Sequence, residues 1–155
     1  KALFYDRLNH AILQAERHDE TIAVMFLDID DFKNINDEYG HYAGDIILKT
    51  LSVRLKNSIR ESDTVARIGG DEFLILLQNI TSKKDISIII KRIFKLNKEV
   101  VNINGKNILI KISLGVSIYP DDSQSINKLI KNADKAMYKS KNKNTNNFMY
   151  YENHM

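Results

Sequence analysis

Two acids follow two glycines in Arg67-Ile68-Gly69-Gly70-Asp71-Glu72-Phe73, between the apolar runs 64–68 and 73–77. Runs of strand length around such a pair predict a β-hairpin with Asp71 at its tip and Glu72 just beyond. Glycine tolerates positive φ and lets a backbone or ligand come close. Adjacent carboxylates repel unless a cation or donor compensates them. An ordinary turn needs no second acid, so the stretch reads either as a plain acidic hairpin or as a metal or phosphate site. A second acidic cluster favours the site. Residues 21–29 (TIAVMFLDI) form a nearly continuous apolar run, the mark of a strand buried on both faces, and lead into Asp28-Ile29-Asp30-Asp31. A carboxylate at the end of a buried strand is costly unless something pairs with it. With this strand beside the hairpin, Asp28 and Asp71 converge. Two carboxylates, completed by water and substrate phosphates, suit Mg²⁺, and two such ions serve phosphoryl or nucleotidyl transfer.

The elements that must position these acids follow from periodicity. Phe4, Leu8, Ala11, Ile12 and Ala15 recur at helical spacing and predict an amphipathic helix over 2–18. Residues 31–37 form a short turn or helix that Gly40 ends. Ala43, Ile47, Leu48, Leu51, Leu55 and Ile59 mark a helix from about 42 to 60. Asp45 then falls in its first turn, where the macrodipole favours an acid by ~0.3–1 kcal/mol. A further helix covers 84–98, and strands over 100–103 and 108–118 are joined at Asn104-Gly105. Gly115 interrupts the second strand, for close packing or for a bulge. The last helix runs from about 125 to 140, an edge strand covers 148–151, and the tail is loose. Strands interleaved with amphipathic helices give an α/β domain around a mostly antiparallel sheet.

Composition excludes several classes. With 155 residues, 43% hydrophobic and 28% charged, the chain suits one globular domain, 1–155, with a real core. It has no cysteine, so disulfides, thiolate metal sites and cysteine nucleophiles are out. The histidines at 10, 18, 41 and 154 show no metal-ligand spacing. No segment reaches the ~20 apolar residues of a membrane span, no signal peptide is visible, and nothing points outward. A cytoplasmic location is expected, with no membrane contact by this domain itself. The net charge of +3 is mild, and most of the late lysines read as a solvated face. No basic groove with interleaved aromatics is present, which argues against nucleic acid and a polymerase-like palm.

The residues also carry a family resemblance. Gly69-Gly70-Asp71-Glu72-Phe73 resembles the signature of the GGDEF diguanylate cyclases. Residues 28–37 (DIDDFKNIND) resemble that family's DxDxFKxIND, and Gly40-His41-Tyr42-Ala43-Gly44-Asp45 its GHxxGD. Ala133, Asp134, Ala136, Tyr138 and Lys141 resemble its late helix. The resemblance covers nearly all of 20–146 and implies a βααββαβ palm shared with nucleotidyl cyclases. It further implies condensation of two GTP into cyclic di-GMP by two domains facing each other as a homodimer. Asp28, Asp71 and the Ile29 carbonyl would hold two Mg²⁺ (or Mn²⁺). Glu72 would assist the hydroxyl proton or the second ion. Asn36 and Asp45 would read the guanine edge: a carboxylate accepts from N1–H and the exocyclic amine, which adenine does not offer. Backbone amides of Asp31, Phe32 and Lys33 would face the phosphates, as a helix start binds anions. The Phe32 ring reads as a wall, and Lys141 matches the triphosphate lysine.

Two further points come from position. Arg60-Glu61-Ser62-Asp63 stands where the family carries an RxxD inhibitory site for its product, which Lys91 or Arg92 would complete. By itself such a tetrad reads as an exposed ion pair. Where the family commonly shows Gly-Arg-Asn after the lysine, this chain has Asn144-Thr145-Asn146. Lys143 is the replacement at hand, as a point charge without the fork. Losing one charge-assisted contact costs about 1.5–3 kcal/mol of phosphate binding, so weaker GTP affinity is expected. A DxLTGLxNR-like segment expected upstream is missing, which suggests excision from a longer protein with a regulatory domain in front. The rival reading is a non-catalytic receptor for GTP or cyclic di-GMP. The altered 144–146 segment and the missing upstream segment favour it, and the intact Asp28 and Gly69-Gly70-Asp71-Glu72 oppose it.

Overall fold

A computed structural model describes all residues, 1–155. In chain order the elements are α1 (Ala2–His18), β1 (Thr21–Ile29), α2 (Phe32–Tyr39), α3 (His41–Ser58), β2 (Thr64–Gly69) and β3 (Glu72–Ile80). There follow α4 (Lys83–Leu96), β4 (Val101–Ile103), β5 (Lys106–Ile108), β6 (Ile112–Tyr119), α5 (Ile126–Lys143) and β7 (Asn147–Tyr150). Five strands form one sheet in the order β2-β3-β1-β6-β7. All pairs are antiparallel except β6 with β7. Leaving aside the small β4–β5 hairpin, β1 to β6 run in the expected βααββαβ order. No helix is long and apolar enough to cross a membrane.

The alternation of a strand decides which helix each side chain meets. On β1, Ala23, Met25, Leu27 and Ile29 face one core with Ile47, Leu51 and Leu55 of α3 and Ile86 and Ile90 of α4. The intervening Ile22, Val24 and Phe26 face a second core with Phe4 and Leu8 of α1 and Leu129, Ala133 and Met137 of α5. The sheet is therefore the middle of three layers, which explains why β1 reads as an unbroken apolar run. Asp28 shares the parity of Val24 and Phe26, so it emerges on the α1/α5 side.

β6 is where sequence and structure part. The expected strand over 108–118 divides, because Ile108 pairs with Val101 in the separate β4–β5 hairpin before Ile112 joins β1. Ile108, Ile110 and Ile112 are all buried, so hydropathy carries straight through the break. Gly115 answers to packing rather than to a bulge, since β1 and β6 pair without a register shift. A Cβ built there would lie 2.0 Å from the Ala133 carbonyl oxygen and 2.2 Å from the Met137 nitrogen. The backbone of α5 thus rests directly on β6.

Candidate active site

Asp28 stands opposite Glu72 in the β1–β3 register, and the Ile29 amide donates to the Asp71 carbonyl at 3.3 Å. The sheet therefore brings the two acidic segments together at one end. Glu72 shares the parity of Leu74 and Leu76, which belong to the α1/α5 core, so it lies on the same side as Asp28. Asp71 sits in the two-residue turn between Gly69 and Glu72. The Arg67 Nε donates to the Gly70 carbonyl at 2.9 Å and braces that turn. Neither Gly69 nor Gly70 uses a positive φ, and a Cβ on Gly70 would meet nothing within 4 Å. Folding does not require Gly70; an open approach to the turn is what its missing side chain provides.

Lys141, in the last turn of α5, reaches across to this end of the sheet. Its Nζ lies 2.8 Å from Asp28 Oδ2, while Asp28 Oδ1 is buried with no hydrogen-bond partner. Burial, and then the neighbouring Asp71 carboxylate, push the Asp28 carboxyl up to about 6, with Lys141 pulling the other way. Burial works against the Lys141 ammonium, but its bond to Asp28 and the charges of Asp28, Asp30 and Asp71 outweigh it and raise its pKa. Glu72 is raised by burial and by the charges of Asp28 and Asp134. Asp134 is raised by burial and by Asp28. In the sequence Asp134 belongs only to the late-helix resemblance, with no role assigned to it. The signal was its seven-residue spacing from Lys141, which puts both on one face of α5.

A divalent cation fits this donor set. An unpartnered, buried carboxylate oxygen on Asp28 has a second carboxylate beside it, and hard oxygen donors are what Mg²⁺ or Mn²⁺ prefers. Ile29 is fully buried and its side chain carries no donor atom, so its backbone carbonyl is the one ligand it could offer. The folded protein holds the Asp28 proton more tightly than the unfolded chain, so ionising it costs stability as pH rises from 3.8 towards about 6. Asp28→Asn removes that cost. Without divalent cations, the variant should gain on wild type by about 1–3 kcal/mol between pH 4 and pH 7. Denaturant titrations at both pH values measure the difference; a constant gap would contradict it.

Asp30, the other acid of the run, has a different task. Its buried side chain accepts from Ser113 Oγ and from the Asn146 amide, both at 2.7 Å. Asn146 Oδ1 in turn accepts from the Ile112 amide at 3.2 Å. These bonds clamp the segment after Lys141 to the start of β6, and Thr145 is left exposed between them.

The residues matched to base and phosphate recognition gather around α2 and α3. Asp31 caps α2 in a left-handed conformation, φ 55°, followed by Phe32 and Lys33, whose amides belong to a first helical turn without intrahelical acceptors. Phe32 packs against the core, and Lys33 is exposed. Asn36 lies against α3: a Cβ on Gly44 would sit 1.9 Å from Asn36 Oδ1 and 3.2 Å from Phe32 Cζ. Helix α3 starts at His41, with no acid in its first turn, so the dipole explanation for Asp45 is withdrawn. Asp45 instead lines a cavity of about 460 Å³ with Leu48, Lys49, Ser52, Val53 and Arg67.

Arg60 and Asp63 meet at the other end of β3, beside Gln78. The Asp63 side chain is fully buried and accepts from the Arg60 amide at 3.0 Å, Arg60 Nε at 3.1 Å and the Gln78 amide at 3.1 Å. Arg60 also donates to the Gln78 carbonyl and remains partly exposed. Asp63 is thus occupied in holding the loop before β2 onto β3, and the guanidinium is the half of the pair that faces outward.

The family model for the diguanylate cyclase GGDEF domain matches residues 1–147. The chain belongs to the GGDEF family. It is 37% identical over 155 residues to the bifunctional diguanylate cyclase/cyclic di-GMP phosphodiesterase MucR of Pseudomonas aeruginosa, covering all of this chain and 22% of MucR. Diguanylate cyclase TpbB of the same organism is 38% identical over 142 residues, 91% of this chain and 33% of TpbB. The crystal structure of the TpbB GGDEF domain superposes with a TM-score of 0.95 at 36% identity, covering 98% of this chain and 95% of that one. The GGDEF domain of DgcB from Caulobacter crescentus, solved in complex with cyclic di-GMP, gives 0.85 at 25% identity, with 95% and 87% covered. This GGDEF chain spans about a fifth to a third of the length of MucR and TpbB.

Proposed function

We propose that this GGDEF domain condenses two GTP into cyclic di-GMP and two pyrophosphates, working as a pair of domains. The observation that carries the reading is the meeting of Asp28 and Asp71 beside Glu72, with one Asp28 oxygen buried and unpartnered. Asp28, Asp71 and the Ile29 carbonyl would hold Mg²⁺ or Mn²⁺, which supplies charge for the leaving pyrophosphate and lowers the pKa of a bound hydroxyl.

The chain's own residues do the rest. In each of two steps a ribose 3′-oxygen bonds to the α-phosphorus of the other GTP, the bond to the β-phosphate oxygen breaks, and pyrophosphate leaves. Glu72 assists the hydroxyl proton or the second ion, a reading that its raised carboxyl pKa, from burial and acidic neighbours, supports. Asn36 and Asp45 select guanine, while the α2 amides and Lys141 receive phosphate oxygens. Each domain presents one nucleotide, so the two reacting groups meet only when two domains face each other. Arg60, with Asp63 holding it in place, forms the core of a product-binding inhibitory site.

Gly44→Ala tests the base-reading part. The new methyl displaces the end of the Asn36 side chain and crowds Phe32 Cζ, a cost that the better helix propensity of alanine offsets, so stability should change by less than about 1 kcal/mol. GTP affinity should fall about 3–10-fold as one base contact goes, with weak ATP binding unaffected. Calorimetric titration with both nucleotides reads this, and unchanged GTP binding would remove Asn36 from the site.

Thr145, exposed where the family commonly carries arginine, supports a second reading as a GTP or cyclic di-GMP receptor. Incubating an enforced dimer with GTP and Mg²⁺ separates the two. Cyclic di-GMP is expected from the cyclase. Bound GTP without product would establish the receptor.

A further inference from the structure

Lys141 and the cation proposed for Asp28 compete for the same carboxylate. The Lys141 ammonium lies 2.8 Å from Asp28 Oδ2, with the lysine side chain 31% and the aspartate side chain 15% exposed. A divalent ion on Asp28 and Asp71 would put two like charges within a few ångströms of each other, where water screens them poorly. Lys141 has no other acidic partner in hydrogen-bond range.

The helix cannot carry the lysine away. Helix α5 rests backbone-to-backbone on Gly115 of β6, and its C-terminal segment is clamped through Asn146 to Asp30 and Ile112. Only the lysine side chain is free to leave, and its flexible four-carbon stem allows that. Once displaced it is an unpaired cation beside the metal, and the anion that best satisfies both charges is a polyphosphate.

We infer that Lys141 is an internal counter-cation that blocks Asp28 against metal alone and gives way when metal and triphosphate arrive together. This rests on Asp28 and Asp71 being the metal ligands. The consequence has an uncommon sign: removing a cationic substrate-binding side chain strengthens binding of the bare metal. Lys141 thereby keeps the site from filling with free divalent cation and ties metal retention to the presence of nucleotide.

The test is Mn²⁺ binding followed by electron paramagnetic resonance at pH 8 without nucleotide, on the whole chain. Wild type, Lys141→Met, Lys141→Gln, Lys141→Arg and Asp28→Asn are compared, with thermal melts checking that each is folded. Lys141→Met and Lys141→Gln should bind Mn²⁺ about tenfold more tightly than wild type, since one positive charge leaves the site. Lys141→Arg, which keeps the charge, should match wild type. In the presence of Mn²⁺, both neutral variants should bind GTP more weakly than wild type. Unchanged or weaker Mn²⁺ binding by both neutral variants, with Mn²⁺–GTP still bound in a manner that Asp28→Asn abolishes, would overturn the inference alone. Absence of any Asp28-dependent binding of Mn²⁺ or Mn²⁺–GTP in wild type would overturn the metal assignment and the inference with it.

Discussion

Gly115→Ala should cost about 1–3 kcal/mol or more, an unusual penalty for adding one methyl to a strand. The new Cβ would stand 2.0 Å from the Ala133 oxygen, 2.2 Å from the Met137 nitrogen and 2.9 Å from the Ala136 carbonyl carbon, all main-chain atoms of α5. No rotamer change relieves such contacts, so the helix must lift off the sheet. For a domain of this size the melting temperature should drop by about 3–10 °C. The damage should reach the proposed active site, because α5 carries Lys141 to Asp28 and Asp134 to the same side. Weaker GTP binding should therefore accompany the lower melting temperature. Gly70→Ala makes the contrast. Nothing lies within 4 Å of its Cβ and its φ is not positive, so stability should stay within about 0.5 kcal/mol while turnover falls. A large loss of stability in Gly70→Ala would return that glycine to a purely structural role.

Asp71→Asn should abolish turnover while leaving the fold at least as stable as wild type. Its charge is one of the causes that raise the Asp28 carboxyl, so neutralising it relieves repulsion in the metal-free protein. Losing one of two carboxylate ligands removes several kcal/mol of transition-state stabilisation, about a 10³-fold fall in rate. Activity and stability thus move in opposite senses, as expected of a side chain kept for chemistry against its own electrostatic cost. Product assays beside thermal melts measure both. A destabilised Asp71→Asn with proportionate loss of activity would point to a structural acid instead.

Some elements were fully written in the sequence. Helix α1 and strand β1 are legible at both ends, because 3.6-residue periodicity in one and two-faced burial in the other are strong local signals. The convergence of Asp28 with the hairpin followed from pairing β1 with β3. What stayed hidden depends on distant contacts. The break between β5 and β6 leaves no mark in hydropathy, since Ile108, Ile110 and Ile112 are buried on both sides of it. Asp30 and Asp28 look alike in sequence, yet one is used up by Ser113 and Asn146 while the other keeps a bare oxygen. Helix α3 starts at His41, one residue before the start that periodicity indicates, and that single residue puts Asp45 just past the first turn and removes the dipole explanation. The pairing of Lys141 with Asp28 joins residues 113 positions apart and belongs to the tertiary structure alone.

The central claim is that Asp28 and Asp71 together hold the divalent cation through which GTP is bound. Calorimetric titration of GTP into wild type and Asp71→Ala, each with Mg²⁺ and with chelator, tests it most directly. Chelation should abolish GTP binding to wild type, and Asp71→Ala should bind about 100-fold or more weakly even at saturating Mg²⁺. Equal affinity in the two proteins, with the same response to chelation, would contradict it.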